Sequence, residues 1–408
     1  MARILAPLRR NLEFQPSPVP DRPGLLIRDP YRYAENGLIL PPQLVPLLSM
    51  FDGHSDLGDL HATLVRLTGD VRAGEAADKF AGTLSAGGFL EDDVFEDLRT
   101  ERHQAFEKAS IRAAVHAGGA YPETAEELHG QLARYLEGTT AGAPGPRLVA
   151  IAAPHVSPEG GHEAYRAAYG SLRPDDAKRT FVILGTSHYG DPETFGLTAK
   201  PFGTPLGQAE PAAELVRFLE SAGGPAVRRE DYCHSVEHSI EFQVVFLQHL
   251  FGPGVRILPI LCGPFARATY QGGRPEDEPA VARFFAALAE LAEREGERLL
   301  FVLGIDLAHM GRRYGDAFTA HADQDGMVEV GQRDQQRLAR VIEGDAAGFW
   351  DLIRQRGDDL KWCGASPLYT FLRTAPGAKG ELLRYQQWNI DDDSVVSFAG
   401  LAFRQAGS

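Results

Sequence analysis

The spacing of hydrophobic and polar positions changes character near residue 110. Before it, apolar residues recur at helical intervals. In "SDLGDLHATLVRLTG", Leu57, Leu60, Leu64 and Leu67 mark one face of a helix, with Ser55 or Asp56 placed to cap its first turn. "PPQLVPLLSMFDG" reads as a helix with Pro in its first turn and Gly past its end. "AGEAADKFAGTLSAGGFLEDD" predicts a further helix, a Gly-Gly turn and a short strand, while "LLIRDP" and "GLIL" read as strands. Small helices with a β-ribbon predict a winged-helix-like module over residues 1–100.

From 111 onward, short apolar runs alternate with amphipathic stretches. "RLVAIAAPH" (147–155), "RTFVILGTSH" (179–188), "VRILPILCG" (255–263) and "RLLFVLGIDLAH" (298–309) read as strands buried on both faces. "EPAAELVRFLESAG" and "DEPAVARFFAALAELAERE" supply helices between them. The alternation predicts an α/β domain over 111–405, a mixed or mostly parallel sheet flanked by helices. "GTTAGAPGP", 138–146, reads as a loop within it.

Composition narrows the function. With 41 Lys plus Arg against 56 Asp plus Glu, the net charge of −15 opposes attraction to nucleic acid or anionic membrane. No apolar run is long enough to span a bilayer and the start carries no signal-peptide core, so a cytoplasmic protein is expected. The three cysteines, Cys233, Cys262 and Cys363, are widely spaced and odd in number, which suits free thiols and excludes a zinc finger. Neither a G-x-S-x-G elbow nor a P-loop occurs.

Histidines supply the candidate chemistry. Three of the four apolar runs end in one: His155, His188 and His309. A fourth cluster, "HSVEHSIEFQ" (234–243), reads as a helix start. Ligands in open α/β sheets bind beyond the carboxyl ends of the strands, and neighbouring strands lie about 4.8 Å apart, so these imidazoles can meet in one crevice. A lone strand-end histidine is commonly structural; three are harder to explain that way. Neutral imidazole binds zinc, iron and copper, and free imidazole exchanges protons near neutral pH. Asp306 or Glu237 could add a carboxylate.

The same residues carry a family resemblance. "HAGGAYPETAEEL" (116–128), "APHVSPEGG" (153–161), "ILGTSH" (183–188), "TPLG" (204–207), "EHSIEFQVVFL" (237–247), "ILPILCG" (257–263), "DLAHMG" (306–311) and "CGASPL" (363–368) occur in the order found in the Memo family. That group includes AmmeMemoRadiSam system protein B and resembles the LigB-type class III extradiol dioxygenases in fold. The resemblance implies His155 and His188 as metal ligands and His238 as a third imidazole and catalytic acid or base; by position, Asp306, His309 and Glu237 are candidate supporting residues. It implies a divalent metal, iron or copper before zinc. It also puts Ala308 where a family cysteine would ligate, and Cys363 at another family cysteine, read here as structural. "SMFDGHSDLGDL" and "LSAGGFLED" resemble the PqqD-like peptide-binding modules.

Three functions follow from these likenesses. One is a metal-dependent oxidoreductase of dioxygenase type, acting on a small molecule or peptide beside a radical enzyme and an AMMECR-type partner. The others are an inactive peptide-binding scaffold, suggested by Ala308, and a zinc-dependent hydrolase.

Overall fold

Asp56, rather than Ser55, caps the first long helix: its carboxylate accepts from the Asp59 N–H, and Asp59 returns the bond to the Asp56 N–H. The structure is a computed structural model that describes residues 3–70, 72–138 and 146–405. The chain divides into two units, Met1–Ala109 and Ser110–Ser408. Residues 139–145 of the loop read at 138–146 lie outside the described residues.

In the first unit, strands β1 (Glu13–Pro16), β2 (Leu25–Arg28) and β3 (Leu38–Leu40) form an antiparallel sheet in that order. Helices α1 (Leu57–Thr68), α2 (Ala73–Ala86) and α3 (Asp93–Lys108) follow. Leu60, Leu64, Ala77, Phe80 and Leu84 form the core with Ile27, Leu47 and Phe51. Two expectations change. "PPQLVPLLSM" makes only a 3-10 turn, Val45–Met50, because Pro46 lacks the N–H that a longer helix needs. The strand expected at "FLEDD" is a single bridge from Leu90 to Leu8, and Asp92 instead caps α3 by accepting from the Phe95 N–H at 3.1 Å. That helix gave no sequence signal because it is mostly charged and buries only Phe95 and Phe106.

The second unit begins with α4 (Ala125–Tyr135), β4 (Leu148–Ala153), α5 (Pro158–Tyr169) and β5 (Thr180–Thr186). Short strands β6 (Phe195–Leu197), β7 (Phe202–Thr204) and β8 (Gly207–Pro211) lead to α6 (Ala213–Ala222), β9 (Val227–Arg229), α7 (Glu241–Phe251) and β10 (Arg256–Cys262). Then come α8 (Ala266–Gln271), α9 (Pro279–Glu295), β11 (Leu299–Gly304) and β12 (His309–Gly311). The chain closes with α10 (Gly326–Glu343), α11 (Ala346–Arg354), α12 (Ala365–Thr374) and the long hairpin β13 (Ala378–Asp391) and β14 (Ser394–Gln405).

The sheet runs β12-β14-β4-β11-β5-β10-β6-β9, with β4, β11, β5 and β10 mutually parallel and β14 antiparallel to β4. It is therefore a mixed α/β sheet. Both faces are buried: on β5, Val182 and Leu184 join the cluster that includes Leu215, Phe284 and Leu368 of α6, α9 and α12, while Phe181 and Ile183 join Leu128, Tyr165 and Val245 of α4, α5 and α7. Continuous apolar runs are what such two-sided burial requires. The run 298–309 is not one strand, however. β11 stops at Gly304, and the chain crosses the end of β4 to reach β14, through Ile305 N–H to Ala153 O and Leu307 N–H to Ser397 O, both within 2.9 Å. Among the described residues, no helix is long and apolar enough to cross a membrane.

Candidate metal centre

Because β11 sits between β4 and β5, the residues leaving those two outer strands flank one gap. His155 follows β4 and His188 follows β5, with ring centroids 5.0 Å apart and planes at 81°. The turn before α7 swings His238 over the same strand ends, 5.2 Å from His155 and 4.9 Å from His188. Candidate ligand atoms of these three imidazoles all lie within 4.8 Å of one another. His309, the remaining run-end histidine, is not part of the triad: it opens β12, and its Nδ1–H is shared by Leu307 O and Lys361 O at 3.0 and 3.1 Å.

Two glycines let the His238 turn approach so closely. A Cβ on Gly185 would meet Ser239 Oγ at 2.5 Å and Ile240 Cγ1 at 2.6 Å, and one on Gly304 would strike the Ser239 carbonyl. The turn is then tied down from both sides. Ser239 Oγ donates to Thr186 O at 2.7 Å, and Gln243 Nε2 donates to Pro154 O at 2.7 Å, beside His155. Below it, the fully buried Arg112 guanidinium donates to His234 O at 2.7 Å, to Glu237 O at 2.6 Å and to the Glu241 carboxylate. Glu241 also accepts from Tyr121 OH and from the His116 N–H, so the "HAGGAY" segment is the brace of this turn. His116 Nε2–H donates to Val236 O at 3.1 Å, and its ring edge packs on His238.

Glu237 fixes the orientation of two of the imidazoles. Its buried carboxylate accepts from the His188 N–H at 2.8 Å and His188 Nδ1–H at 2.9 Å, and from the His238 N–H at 2.8 Å, with His238 Nδ1 at 3.1 Å. His155 Nδ1–H donates to Gly304 O at 3.0 Å. Each ring thus has its Nδ1 engaged, which leaves Nε2 as the candidate ligand atom, the arrangement by which outer partners set the tautomer of metal-binding histidines. Glu237 is therefore an orienting group behind the rings.

Electrostatics follow the same geometry. Burial opposes ionisation of Glu237, but His188 and then His238 outweigh it and hold the carboxyl well below its ordinary range. Burial likewise opposes charge on His188, and Glu237 reverses this and raises it well above its ordinary value. His155 is driven well below its usual value by burial and then by the neighbouring His188 and His238. It is a neutral imidazole with an available lone pair.

The thiol at this site comes from Cys363. Its Sγ lies 3.2 Å from His155 Nε2, at the loop that starts α12, and Thr186 Oγ1 donates to the Cys363 carbonyl at 3.0 Å. Burial pushes this thiol up, with His188 pulling the other way. Cys363 was expected to be structural, and Ala308 stands where the resemblance puts a ligating cysteine; the thiol found beside His155 is that of Cys363. Ala308 is fully buried in the apolar cluster with Leu307 and Met310. Asp306 lies between: Oδ1 accepts from the His155 and Val156 N–H groups at 3.0 and 3.2 Å, and Oδ2 is 3.5 Å from His155 Nε2. A further buried carboxylate, Asp334, supports the thiol's loop. It accepts from Trp362 Nε1 at 2.7 Å and from Ser397 Oγ at 2.6 Å, and that hydroxyl in turn accepts from the Ala308 N–H.

Residues 112–402 match the model of the Memo-like protein family. The chain belongs to this family. A MEMO1 family protein of Aquifex aeolicus is 26% identical over 383 residues, covering 93% of this chain and 95% of the relative. MEMO1 family protein TK1477 of Thermococcus kodakarensis is 30% identical over 309 residues, covering 72% of this chain and all of the relative. The solved structure of uncharacterized protein JW3007 from Escherichia coli K12 aligns at 14% identity with a TM-score of 0.42, over 63% of this chain and 99% of that one. The Memo-like match spans every residue of the crevice, from Arg112 and His116 to Cys363.

Sequence reasoning listed "HAGGAY" and "CGASPL" as motifs without a task for Arg112, Tyr121, Glu241 or Cys363. One local signal was available: a Gly precedes two of the strand-end site residues, Gly185 before His188 and Gly304 before Asp306, where a core strand otherwise prefers a branched side chain.

Proposed function

We propose that the crevice holds one divalent metal and that the protein is a metal-dependent oxidoreductase of dioxygenase type. The observation that carries this is the convergence of three imidazoles whose Nδ1 atoms are all engaged on protein acceptors, with a thiol beside them. A nitrogen and sulfur donor set suits copper, iron and zinc.

The stacking of two rings divides the labour. His188 and His238 lie nearly parallel, at 13°, while His155 stands across both. Both parallel rings have their Nδ1 on the same carboxylate, and we take one of them for the metal and the other for proton transfer. Two nitrogens on one ion at bonds of about 2.0–2.1 Å sit about 3.0–3.4 Å apart in common geometries. His155, His188 and Cys363 are therefore assigned to the metal and His238 to proton transfer. When bound, iron or copper supplies a Lewis acid and an electron path for dioxygen.

His238 takes the proton from a phenolic or enolic hydroxyl at Nε2, and Glu237 at its Nδ1 stabilises the imidazolium so formed. Asp306 holds the end of β4 so that His155 does not turn away. Ala308 had suggested an inactive scaffold, but a site that keeps a thiol at Cys363 removes that reason.

The test is metal content by mass spectrometry of untagged protein, beside His155→Ala, His188→Ala and Cys363→Ala, with oxygen uptake measured on a panel of catechols and ene-diols. Near-stoichiometric iron or copper, lost in the variants, and oxygen uptake lost in His238→Ala with metal retained, are the expected results. Metal retained in all three ligand variants overturns the assignment.

A further inference from the structure

A second pair of imidazoles faces each other outside the crevice. His129 lies midway along α4 and His249 in the last turn of α7, with Nδ1 atoms 3.0 Å apart and ring centroids at 5.2 Å. His129 is exposed and His249 half-buried. Neither residue takes part in the site described above. We propose that this pair is a separate surface metal site, a two-imidazole clamp for copper(II) or nickel(II) that staples α4 to α7.

Geometry selects the metal. Two nitrogens 3.0 Å apart, each about 2.0–2.1 Å from one ion, subtend an angle of roughly 90–95°. That is the angle between adjacent ligands in square-planar or octahedral coordination, which copper(II) and nickel(II) favour, whereas tetrahedral zinc needs the nitrogens about 3.3–3.4 Å apart. Water supplies the remaining positions, since His129 and His249 are the histidines that meet here and the described residues form a three-ligand cluster only in the crevice.

The chemistry agrees. Without an ion, the two Nδ1 atoms approach closely only by sharing one proton, one donating and one accepting; an ion displaces that proton and binds both nitrogens from one side of the line between them. Burial, and then the neighbouring His129, hold His249 below its ordinary value, which favours its neutral, ligating form. The carbonyl end of α7 also favours a cation at His249. The clamp would join two elements that support the crevice: α4 follows Arg112, His116 and Tyr121, and α7 follows Glu237 and His238.

The experiment is equilibrium dialysis of the full-length protein against nickel(II), counted by mass spectrometry, with thermal midpoints recorded with and without the ion. Expected are one more bound equivalent in the parent than in His129→Ala or His249→Ala, an affinity for that equivalent at least tenfold weaker in each single variant, and a nickel-induced rise in midpoint that both variants lose. The extra equivalent should persist in His188→Ala. An unchanged equivalent count in His129→Ala, whose exposed side chain can be removed without disturbing the fold, overturns the proposal. So does a loss confined to one of the two variants, or a nickel count in His188→Ala that adding His129→Ala does not lower further.

Discussion

Replacing Glu237 by glutamine tests the orienting role of one side chain while keeping its volume. The carboxylate accepts from five N–H groups, two of His188, two of His238 and that of Ser239 at 3.3 Å. Glutamine has one acceptor oxygen and one NH2 group, so whichever way the amide turns, one histidine faces a donor where it had an acceptor. Hydrogen bonds to a charged group contribute about 1.5–3 kcal/mol each, and the ring that loses its partner recovers part of this by rotating. Rotation is what the site cannot tolerate, because it moves Nε2 off the crevice. Loss of an outer partner of this kind costs roughly 10–100-fold in metal affinity, or about 1.4–2.7 kcal/mol. The Arg112–Glu241 brace remains, so the variant should fold. Competition against a chromophoric chelator gives the affinity, and circular dichroism the fold. A folded Glu237→Gln protein with affinity within threefold of the parent would refute the argument that this carboxylate orients the rings.

Other substitutions probe the remaining supports. Gly304→Ala puts a methyl onto the Ser239 carbonyl, a backbone atom that must move, and overpacking of this kind costs about 1–3 kcal/mol; the thermal midpoint should fall by several degrees together with metal affinity, and an unchanged midpoint would show that the turn has room. Asp334→Asn should weaken sulfur-to-metal charge-transfer absorption in the cobalt(II)-substituted protein, through the Trp362 that adjoins Cys363, and a spectrum identical to the parent's would remove Asp334 from the support of the thiol. Buried His234 is lowered to about 4, chiefly by burial, while its unfolded value is near 6.5. The unfolded chain therefore binds the extra proton first, and stability present above pH 6.5 is lost as pH falls towards 4, by at most about 3 kcal/mol. Urea midpoints between pH 7 and 4.5 measure this, and His234→Gln should flatten the slope; the same slope in both proteins would assign it elsewhere.

The chain's local pattern determined where its central strands, the flanking helices α6 and α9 and the start of α7 lie, since burial on both faces demands continuous apolar runs and helices need an apolar stripe. It also determined the family, and through it His155, His188 and His238, because ordered motifs survive in sequence whatever their spatial neighbours. It was silent on α3, whose charged surface leaves too narrow a stripe, and on the contact between Cys363 and His155. Cys363 and His155 stand 208 residues apart, and their contact depends on β11 inserting between β4 and β5 and on α12 starting over the same strand ends. Ala308 shares a motif with Asp306 yet faces the core, because the strand that would have aligned them ends at Gly304. Periodicity reports which face of an element is buried. Which loops meet above the sheet is set by strand order, and strand order is decided only when distant segments pack together.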